Sequence, residues 1–361
     1  MLQRDASTLA GNARTGPRLV ALDSILLPEA GSLYVGNPYT PVVDPFDGSF
    51  YVPDLFSGRV LRFGRDGRLI RAYGRAGDGP GEFRSAGSTF VLDDSTLVVH
   101  DTGLGRLTLL DRRTGAFRGT RSFPWGPSLT PPVVEDGYAW MAVSDRAFKL
   151  HGSVARWDVV RDTLEFFGPM PDEYWESANS QNWTYANQML RGQLAVHGGR
   201  IFRGWQSYQD LFVLDHGGAV VDTIDIPVLR RLGVPDDIRE RMDVGRMGLE
   251  EQITSYSRLR QLYVFPDGRV AFTHHDQKAI RLRPFPIIAA RVWVGVVSAD
   301  LKRACVDTEL PVSMDARSME TFRGDTLFQL DRRIPPGTET VETWIRMFQV
   351  QTSECEWVPI G

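Results

Sequence analysis

The chain is poor in lysine, and this restricts what its charge can attract. Arginine supplies almost all of the 41 basic side chains, and the only lysines are Lys149, Lys278 and Lys302. The arginines alternate with 45 acidic residues, so the formal net charge is -4 and no concentrated basic stripe forms. Because nucleic-acid binding needs such a positive footprint, we expect no nucleic-acid partner.

Long apolar runs are also absent. No stretch of about 18 apolar residues occurs, so the pattern predicts no transmembrane helix. The N-terminal residues Met1 to Ala6 lack the apolar core of a signal peptide. This is typical of a cytoplasmic protein, although a trimmed mature chain or an export route without a visible signal would give the same sequence.

Catalytic and nucleotide-binding motifs are missing as well. The sequence contains no G-x-S-x-G nucleophile elbow and no G-x-x-x-x-G-K-[ST] phosphate loop. The glycines between Gly74 and Gly79 lead into Pro80 rather than into a helix, so no helix N-terminus follows them to hold a phosphate. We therefore expect no cofactor.

Cysteine occurs only twice, at Cys305 and Cys355, in segments that read as strands. One interpretation is a disulfide closing a loop of about 50 residues, and the other is two buried free thiols. A disulfide implies an oxidising compartment, whereas the missing signal peptide favours the cytoplasm. We expect the disulfide, and with it an extracytoplasmic location, periplasmic or secreted.

What the sequence does contain is a strand that recurs along the chain and ends in aspartate. The six aspartates are Asp54, Asp101, Asp145, Asp210, Asp276 and Asp331. Alternating apolar residues and turns such as Asp66-Gly67 and Gly217-Gly218 follow these strands, which is typical of antiparallel hairpins. The repeat predicts a single all-β domain over residues 1–361, a six-bladed β-propeller of four-stranded antiparallel blades.

The first repeat carries the most specific motif. It runs from Asp54 through Arg59, Phe63 and Gly67 to a glycine-rich link made of Gly77, Gly79, Pro80, Gly81, Glu82 and Phe83. This motif resembles the NHL-type repeat, and Asp101, Arg106 and Gly115 continue the resemblance into the second blade. The resemblance implies an NHL-like propeller, commonly six-bladed, whose relatives often dock on other proteins. We interpret Gly77, Gly79 and Gly81 as part of a structural link between blades.

A closing seam and two insertions complete the predicted architecture. Residues 19–27 are predicted to form the outer strand of the last blade beside residues 343–350, which would remove an open sheet edge. Residues 1–16 are expected to form a flexible arm. Insertions interrupt the repeat at 170–192 and at 228–258, where Pro235-Asp236-Asp237 predicts the start of one short helical insertion.

The insertion at 170–192 is the main candidate for binding. It contains the aromatic residues Tyr174, Trp175, Trp183 and Tyr185. Aromatic rings of this kind are favoured at interface hot spots. The alternative is that these rings pack over the propeller and seal its channel.

The recurring aspartates and two histidines are further candidates. The aspartates could bind a cation, but their recurrence in every blade favours a structural role. That role is to accept backbone N–H groups or to pair with the following arginine, as Asp54 with Arg59. His100 and His275 form a weaker candidate for a metal site in the channel. Because His274 and His275 are adjacent on a strand, they point to opposite faces and cannot both bind one ion.

These patterns favour a non-catalytic interaction module. Such a protein would be an accessory or scaffolding subunit that docks on a larger protein assembly, membrane-bound complexes included. The alternative is a metal-dependent hydrolase or lyase with its site in the central channel. A third candidate is a carbohydrate- or peptide-binding protein that uses the aromatic insertion. Fold alone does not decide among them.

Overall fold

Six antiparallel sheets form the described part of the chain. The computed structural model describes residues 16–28, 35–124, 126–127, 131–144, 152–178, 185, 191–227, 230–281, 287–311, 319–338 and 340–360. Five sheets are built from strands that are consecutive in the chain, and the sixth combines β23, β24 and β25 with β1; two of the sheets gain a fifth short strand. The predicted six-bladed β-propeller is therefore confirmed.

The strands follow one another with few helices between them. In chain order they are β1 (Arg18–Leu27), β2 (Val42–Val43), β3 (Phe50–Asp54), β4 (Arg59–Phe63), β5 (Leu69–Tyr73), β6 (Ala86–Val91), β7 (Thr96–Asp101), β8 (Arg106–Asp111), β9 (Phe117–Ser122), β10 (Gly126–Pro127), β11 (Val133–Glu135), β12 (Tyr138–Ser144), β13 (Val154–Asp158), β14 (Thr163–Phe167), β15 (Gly192–His197), β16 (Arg200–Trp205), β17 (Asp210–Leu214), β18 (Val220–Asp225), β19 (Arg258–Val264), β20 (Val270–Arg281), β21 (Ile287–Val297), β22 (Arg303–Leu310), β23 (Met319–Arg323), β24 (Thr326–Arg333), β25 (Glu342–Gln351) and β26 (Val358–Pro359). The helices are α1 (Asp172–Ala178), α2 (Ile238–Asp243) and α3 (Leu249–Thr254). Within the described ranges, no helix has the length and apolar character needed to cross a membrane.

Each blade is an antiparallel meander. Blade 1 contains β2 to β5, blade 2 contains β6 to β9, and blade 4 contains β15 to β18. In blade 3 the short strands β10 and β11 both pair with β12, so they divide the innermost position between them. Blade 5 contains β19 to β22 with β26 added at its edge, and blade 6 contains β23, β24, β25 and β1.

The seam of the ring lies in blade 6. Strand β1 pairs with β25 from Arg18 opposite Gln351 to Leu27 opposite Thr343, which confirms the predicted partnership of the two chain ends. Ile25 and Leu27 are buried between blades 6 and 1. The N-terminal strand therefore supplies the outer edge of the last blade.

The hydrophobic core is divided among the contacts between consecutive blades. A separate cluster of buried side chains fills each contact, and the cluster between blades 6 and 1 completes the circuit. Each blade contact thus buries the apolar faces that a single small sheet would leave in water. Members of these clusters that come from neighbouring blades include Phe50 and Phe328, Tyr51 and Leu97, Val98 and Met141, Trp140 and Ile201, Phe202 and Leu262, and Val294 and Leu327.

One face of the ring, here named the cap face, carries both insertions. The innermost strands all begin at this face because every blade repeats the same direction, so each connection from one blade to the next lies there. Helix α1 lies in the connection from blade 3 to blade 4, and α2 and α3 lie in that from blade 4 to blade 5. The turns between the second and third strands of each blade also lie on this face.

The helical insertion predicted at 228–258 is present. That insertion contains two helices, α2 and α3, and the aromatic insertion contains a third, α1. Helix α1 begins with Asp172 and Glu173 directly after Pro171, a sequence that resembles Pro235-Asp236-Asp237 ahead of α2. Acidic residues in the first turn stabilise a helix through its dipole. The same start signal was therefore present in both insertions.

The C-terminal segment fastens blade 6 to blade 5. After β25, the chain crosses to β26, which pairs with β22. Cys305 of β22 and Cys355 form a disulfide. The predicted pairing of the two cysteines is thus present, and it joins neighbouring blades beside the seam.

Candidate binding site at the channel mouth

The innermost strands bring a group of polar side chains together where the channel opens on the cap face. This group, here named the channel mouth, consists of Tyr39, Ser88, Arg191, Arg258, Arg260 and Glu320. Its members come from the starts of the innermost strands of five blades, or from the residues just before them. They lie close enough to interact. Tyr39 is hydrogen-bonded to Ser88, and the charges of Arg191 and Arg260 lower the pKa of its hydroxyl against the larger opposing effect of burial.

Two irregularities in the innermost strands place channel-mouth residues. The register of β6 with β7 shifts between Ala86 and Thr89, at Gly87 and Ser88. The register of β19 with β20 shifts between Leu259 and Gln261, so that Arg260 is an extra residue. A β-bulge re-aims the side chain of its extra residue and often occurs beside a binding site. The two bulges lie at the same end of the channel.

Three arginines make the channel mouth positive. Arg191, Arg258 and Arg260 are each half-buried. Burial lowers the pKa of Arg260, and the charges of Arg258 and Arg191 lower it further, against the opposing effect of Glu320. Burial and the charge of Arg191 likewise lower the pKa of Arg258. Like charges that shift one another's pKa are near neighbours, so the positive side chains converge.

The carboxylate at the channel mouth, that of Glu320, is hydrogen-bonded to a histidine. Glu320 is 1% exposed, and its Oε2 lies 2.8 Å from Nε2 of His275, which is also buried. His275 stands on the second strand of blade 5 and Glu320 on the innermost strand of blade 6, so their hydrogen bond crosses a blade contact. The charge of Glu320 also raises the pKa of Arg260, against the larger effect of burial.

A further cation lies directly behind the channel mouth. Arg203 is fully buried, and its guanidinium occupies the space that a side chain at Gly192 would need. Its Nη1 donates to the carbonyl oxygens of Gln193 and Gly204, while Nε and Nη2 have no hydrogen-bond partner among the described residues. Burial lowers the pKa of Arg203 to about 9, so the side chain remains charged at neutral pH. It therefore adds to the positive potential of this end of the channel.

An apolar cavity lies beyond the channel mouth. It has a volume of about 190 Å³ and is bordered by the innermost strands of blades 1, 3, 4, 5 and 6. Val42, Val133 and Leu194 line it together with Gln261 and Thr321, the chain neighbours of Arg260 and Glu320. The channel thus changes from charged at its mouth to mostly apolar farther in.

The aromatic insertion and the second insertion pack into one helical cap. Tyr174 is 2% exposed and Tyr185 is 6% exposed, in a cluster with Ile238 and Met242 of α2 and with Trp205 of blade 4. The carboxylate of Asp243 joins the two insertions, because it accepts hydrogen bonds from Ser177 Oγ and from the backbone N–H of Tyr185.

The burial of two of these rings limits which of the four a partner protein could contact. Tyr174 and Tyr185 are interior residues of the cap, as the alternative of packing over the propeller predicts. Trp175 is half-buried and packs against the same cluster. Trp183 lies outside the described residues.

Two of the blade-ending aspartates have a clear structural role. Asp54 accepts the backbone N–H groups of Gly36, Asn37 and Phe56. Asp101 accepts those of Arg84, Ser85, Gly103 and Leu104. Each carboxylate thereby ties the connection that enters its blade to the turn that follows its strand. These contacts are to backbone N–H groups, as the first of the two structural explanations expects.

The other aspartates follow the pattern less closely. Asp276 accepts the hydroxyl of Ser257 and the indole N–H of Trp293, and Asp331 pairs with Arg346 at 2.8 Å. Asp210, the loosest match to the repeat, does not end a strand. Strand β16 ends at Trp205, and Asp210 begins β17. Asp145 lies outside the described residues.

The two histidines that were candidates for a metal site are each hydrogen-bonded to a different residue. Nε2 of His100 is hydrogen-bonded to the carbonyl oxygen of Phe123 at 3.2 Å, and the two rings meet edge to face. His275 is bonded to Glu320 as described above. Among the described residues, no group of three or more His, Cys, Asp or Glu side chains is arranged to hold a metal ion.

The glycine-rich link forms a self-contained loop between blades 1 and 2. Gly77 donates to the carbonyl oxygen of Phe83, and Gly79 donates to Oε2 of Glu82. Gly77 and Gly81 have positive φ angles of 152° and 73°, which glycine adopts without strain. Phe83 is fully buried between the blades. These contacts agree with the structural interpretation of the link.

Sequence reasoning missed the channel mouth. Arg191, Arg258 and Arg260 are separated from Tyr39 by three or more blades of chain, and only the closed ring brings them together. The available signal was local: Arg258-Leu259-Arg260 begins a strand directly after an insertion. Nothing in that signal distinguishes these arginines from the many that lie on the surface.

Comparison with known proteins supports the fold. A member of the DUF4221 family from Bacteroides vulgatus superposes with a TM-score of 0.66 and 11% identity, covering 94% of this chain and 99% of that one. A Bacteroides fragilis protein that is assigned as exported superposes with a TM-score of 0.60 and 12% identity, covering 95% of this chain and 97% of that one. At such identities the likeness shows a shared fold alone.

A virginiamycin B lyase from Staphylococcus aureus is also similar, with a TM-score of 0.49 and 10% identity over 92% of this chain and 99% of that one. At that TM-score the likeness says nothing about activity. No protein-family model matches the chain, and no curated protein matches its sequence. The resemblance to NHL-type repeats therefore stays a prediction.

Proposed function

We propose that this protein is a non-catalytic interaction module that docks a partner protein on its cap face, as an accessory or scaffolding subunit. The proposal rests on an apolar rim beside the channel mouth. Phe56, in the turn after the second strand of blade 1, is 72% exposed, and Ile334, in the matching turn of blade 6, is 43% exposed. Large apolar side chains of this kind anchor protein interfaces.

A continuous set of hydrogen bonds holds the two turns in place. Asp54 accepts the backbone N–H groups of both Phe56 and Gly36. Arg332, two residues before Ile334, donates to the carbonyl oxygens of Gly36 and Val35, each at 3.1 Å. Phe56 and Ile334 thus flank one fixed segment. A partner that binds there meets a preformed surface, which reduces the entropy lost on docking.

Isolated exposed apolar residues are common on soluble proteins and need no functional explanation. Phe56 and Ile334 differ because neighbouring blades present them on the same face, beside the channel mouth. The half-buried Trp175 of the helical cap offers a further contact on that face. We therefore assign the docking surface to Phe56, Ile334 and the accessible part of Trp175.

The alternative of a metal-dependent hydrolase or lyase has less support. It requires His100 and His275 to turn away from their present partners, Phe123 and Glu320. Metal analysis of the purified protein is the direct check. Stoichiometric zinc or calcium, lost on replacing His100 or His275, would favour the enzyme over the docking module.

We also propose an extracytoplasmic location. The disulfide between Cys305 and Cys355 needs an oxidising compartment to persist. The structural neighbour from Bacteroides fragilis that is assigned as exported agrees with this location. Fractionation of the native host, with detection of the oxidised chain, tests it.

Isolation from the native source tests the docking proposal. We expect wild-type protein to retain a specific partner under mild conditions. The double variant Phe56→Asp/Ile334→Asp should recover at least about 10-fold less of it, because two charges would be buried at the interface. Partner recovery is measured at equal bait loading.

Val160→Asp is the matched control. Val160 is 89% exposed in the turn between β13 and β14, which lies on the face opposite the cap face. It should retain the partner as wild type does. Equal recovery by the double variant, with its fold intact by circular dichroism, would reject docking through Phe56 and Ile334.

A further inference from the structure

We infer that Arg203, in the second strand of blade 4, binds a small monocarboxylate beneath the helical cap. The site consists of the free edge of the Arg203 guanidinium together with the side chains of Trp205 and Tyr256. It is separate from the docking surface on the cap face, and it requires no partner protein.

Arg203 is a buried cation without an acidic partner. Its side chain is 0% exposed, and burial lowers its pKa to about 9, so the guanidinium is charged at neutral pH. In the part of the chain that the structure describes, no acidic side chain acts on that pKa or forms an ion pair with Arg203. A buried charge without a counter-charge is strongly unfavourable. A bound anion would supply the counter-charge.

The guanidinium is held so that one edge of it stays free. Nη1 donates to the carbonyl oxygens of Gln193 at 3.2 Å and Gly204 at 2.6 Å. Nε and Nη2 have no hydrogen-bond partner among the described residues. These two atoms form the side of the guanidinium remote from Nη1, and each directs one N–H bond outward in parallel. This is an edge that can hold both oxygens of a carboxylate in paired hydrogen bonds.

The neighbouring strand and ring fix the position of the guanidinium. A Cβ atom at Gly192 would lie 1.4 Å from Nη1 of Arg203, so only glycine leaves room for the cation there. Gly192 pairs with Trp205 across β15 and β16, and Cζ of Arg203 lies over the indole at 4.6 Å from the ring centroid. A cation that is oriented in advance loses little entropy when a ligand binds.

Neighbouring polar atoms also indicate a missing acceptor. The indole Nε1 of Trp205 is buried and has no hydrogen-bond partner within the described ranges, and an indole N–H can only donate. The buried hydroxyl of Tyr256 likewise has none there, and Tyr256 belongs to the same cluster as Trp205. Buried polar groups are seldom left unsatisfied. Because the unpaired atoms of Arg203 and Trp205 are all donors, an anion satisfies them and a cation does not.

Charge balance selects the chemical class of the ligand. Arg203 contributes one positive charge, and the cluster that contains Trp205 is made of aromatic and aliphatic side chains such as Tyr174, Ile238 and Met242. A phosphate dianion would bring an uncompensated negative charge into these surroundings. A halide has no pair of oxygens to match Nε and Nη2. Since Arg203 and Trp205 are at most 1% exposed, the monocarboxylate must be small and is enclosed once bound.

Calorimetric titration and thermal melting test the inference on protein dialysed into a buffer free of carboxylates. The probes are formate, acetate, inorganic phosphate and chloride, compared at equal ionic strength. We expect formate or acetate to bind with one-to-one stoichiometry and to raise the melting temperature by about 3 °C or more near saturation. Phosphate and chloride should bind at least about 10-fold more weakly, because neither matches both the charge and the geometry of the site.

Two substitutions of Arg203 separate its charge from its geometry. Arg203→Met should abolish carboxylate binding, and the melting temperature of the free protein should not fall, because an unpaired buried charge is removed. An arginine that only stabilised the fold would give a lower melting temperature instead. Arg203→Lys keeps a positive charge without the paired donors, so its affinity should fall at least about 10-fold.

Gly192→Ala is a third variant, and it leaves Arg203 itself unchanged. Its added methyl group displaces the guanidinium, so carboxylate binding should weaken at least about 10-fold even though the charge remains. This variant decides the question if Arg203→Met does not fold.

Arg200→Met is the matched control. Arg200 lies on the same strand, β16, but its side chain is exposed. It should bind formate and acetate as wild type does. The inference is overturned if neither carboxylate binds, if phosphate or chloride binds as tightly as both, or if the Arg203 and Gly192 variants bind as tightly as Arg200→Met.

Discussion

Single buried side chains determine how the strand ends of this propeller are fixed. Asp101 is fully buried and accepts four backbone N–H groups at 3.1 to 3.2 Å. His100, its neighbour on β7, is 3% exposed and is held by the carbonyl oxygen of Phe123. A polar residue can occupy such a position only when its partners are equally fixed. These residues therefore couple loop geometry to the core.

The buried histidine predicts how stability changes with pH. Burial lowers the pKa of His100 from 6.5 to about 4, against the opposing effects of Phe123 and Asp101. Between these two values the unfolded chain binds a proton that the folded chain does not bind. The free energy of unfolding should thus fall as pH decreases from about 6.5 to about 4, with His100 contributing on the order of 3 kcal/mol.

Urea unfolding across this pH range measures the effect. His100→Gln keeps a hydrogen-bond donor for Phe123 but cannot titrate, so its unfolding free energy should depend less steeply on pH. His197→Gln, which replaces a half-exposed histidine, should retain the wild-type slope. An unchanged slope in His100→Gln would show that its imidazole does not carry this dependence.

At the scale of elements, the ring is closed by a strand from the other end of the chain. Strand β1 completes blade 6, and Ile25 and Leu27 fill the contact with blade 1. Without β1, strand β25 would become an open edge and the apolar contact would be exposed. The seam is therefore a single element on which two blades depend.

Deletion of residues 1–28 should destabilise the whole ring. Loss of the two buried side chains alone removes about 3–6 kcal/mol of burial energy. We expect the melting temperature to fall by about 10 °C or more, as measured by calorimetry. Deletion of residues 1–15 leaves β1 intact and is the control. If the two deletions melt alike, β1 does not support the ring.

The elements that the sequence predicted best are those defined by local chemistry. The turn at Asp66-Gly67 forms as expected, because Gly67 adopts a φ angle of 78° that other residues rarely tolerate. The position of Asp210 was misjudged because β16 stops at Trp205, and the short turn to β17 leaves no aspartate at the strand end. The local sequence pattern predicted the hairpins, but it did not give the correct strand boundaries in every blade.

At the scale of the whole molecule, the C-terminal segment forms a second connection between neighbouring blades. Strand β26 and the disulfide tie the end of the chain to blade 5, beside the seam in blade 6. The cysteines are 50 residues apart. A crosslink over a loop of that length restricts the unfolded chain and stabilises the fold by about 4 kcal/mol.

Reduction should therefore lower the stability of the oxidised protein. We expect the melting temperature to drop by about 8 °C or more in the presence of a reductant. The variant Cys305→Ala/Cys355→Ala should melt at a similarly lowered temperature and should not respond to reductant. A wild-type protein that melts alike with and without reductant would contradict the predicted contribution.

Assembly of the ring also explains why the candidate site escaped sequence analysis. Fold class depends on a repeat that a reader can follow along the chain. Arg191, Arg258 and Arg260 meet Tyr39 only because the circle closes, and the bulge that adds Arg260 leaves no pattern in the sequence. The composition of the aromatic insertion suggested a binding site, but Tyr174 and Tyr185 pack in the interior of the helical cap.

The shared construction of blade 6 has a consequence for biosynthesis. Its outermost strand, β1, precedes the other five blades in the chain, whereas its three inner strands follow β22 of blade 5. A nascent chain therefore carries β1 without a partner until residues 342–351 have left the ribosome. Circularisation must therefore wait until residues 342–351 have been synthesised, and the six blades form an open chain until then.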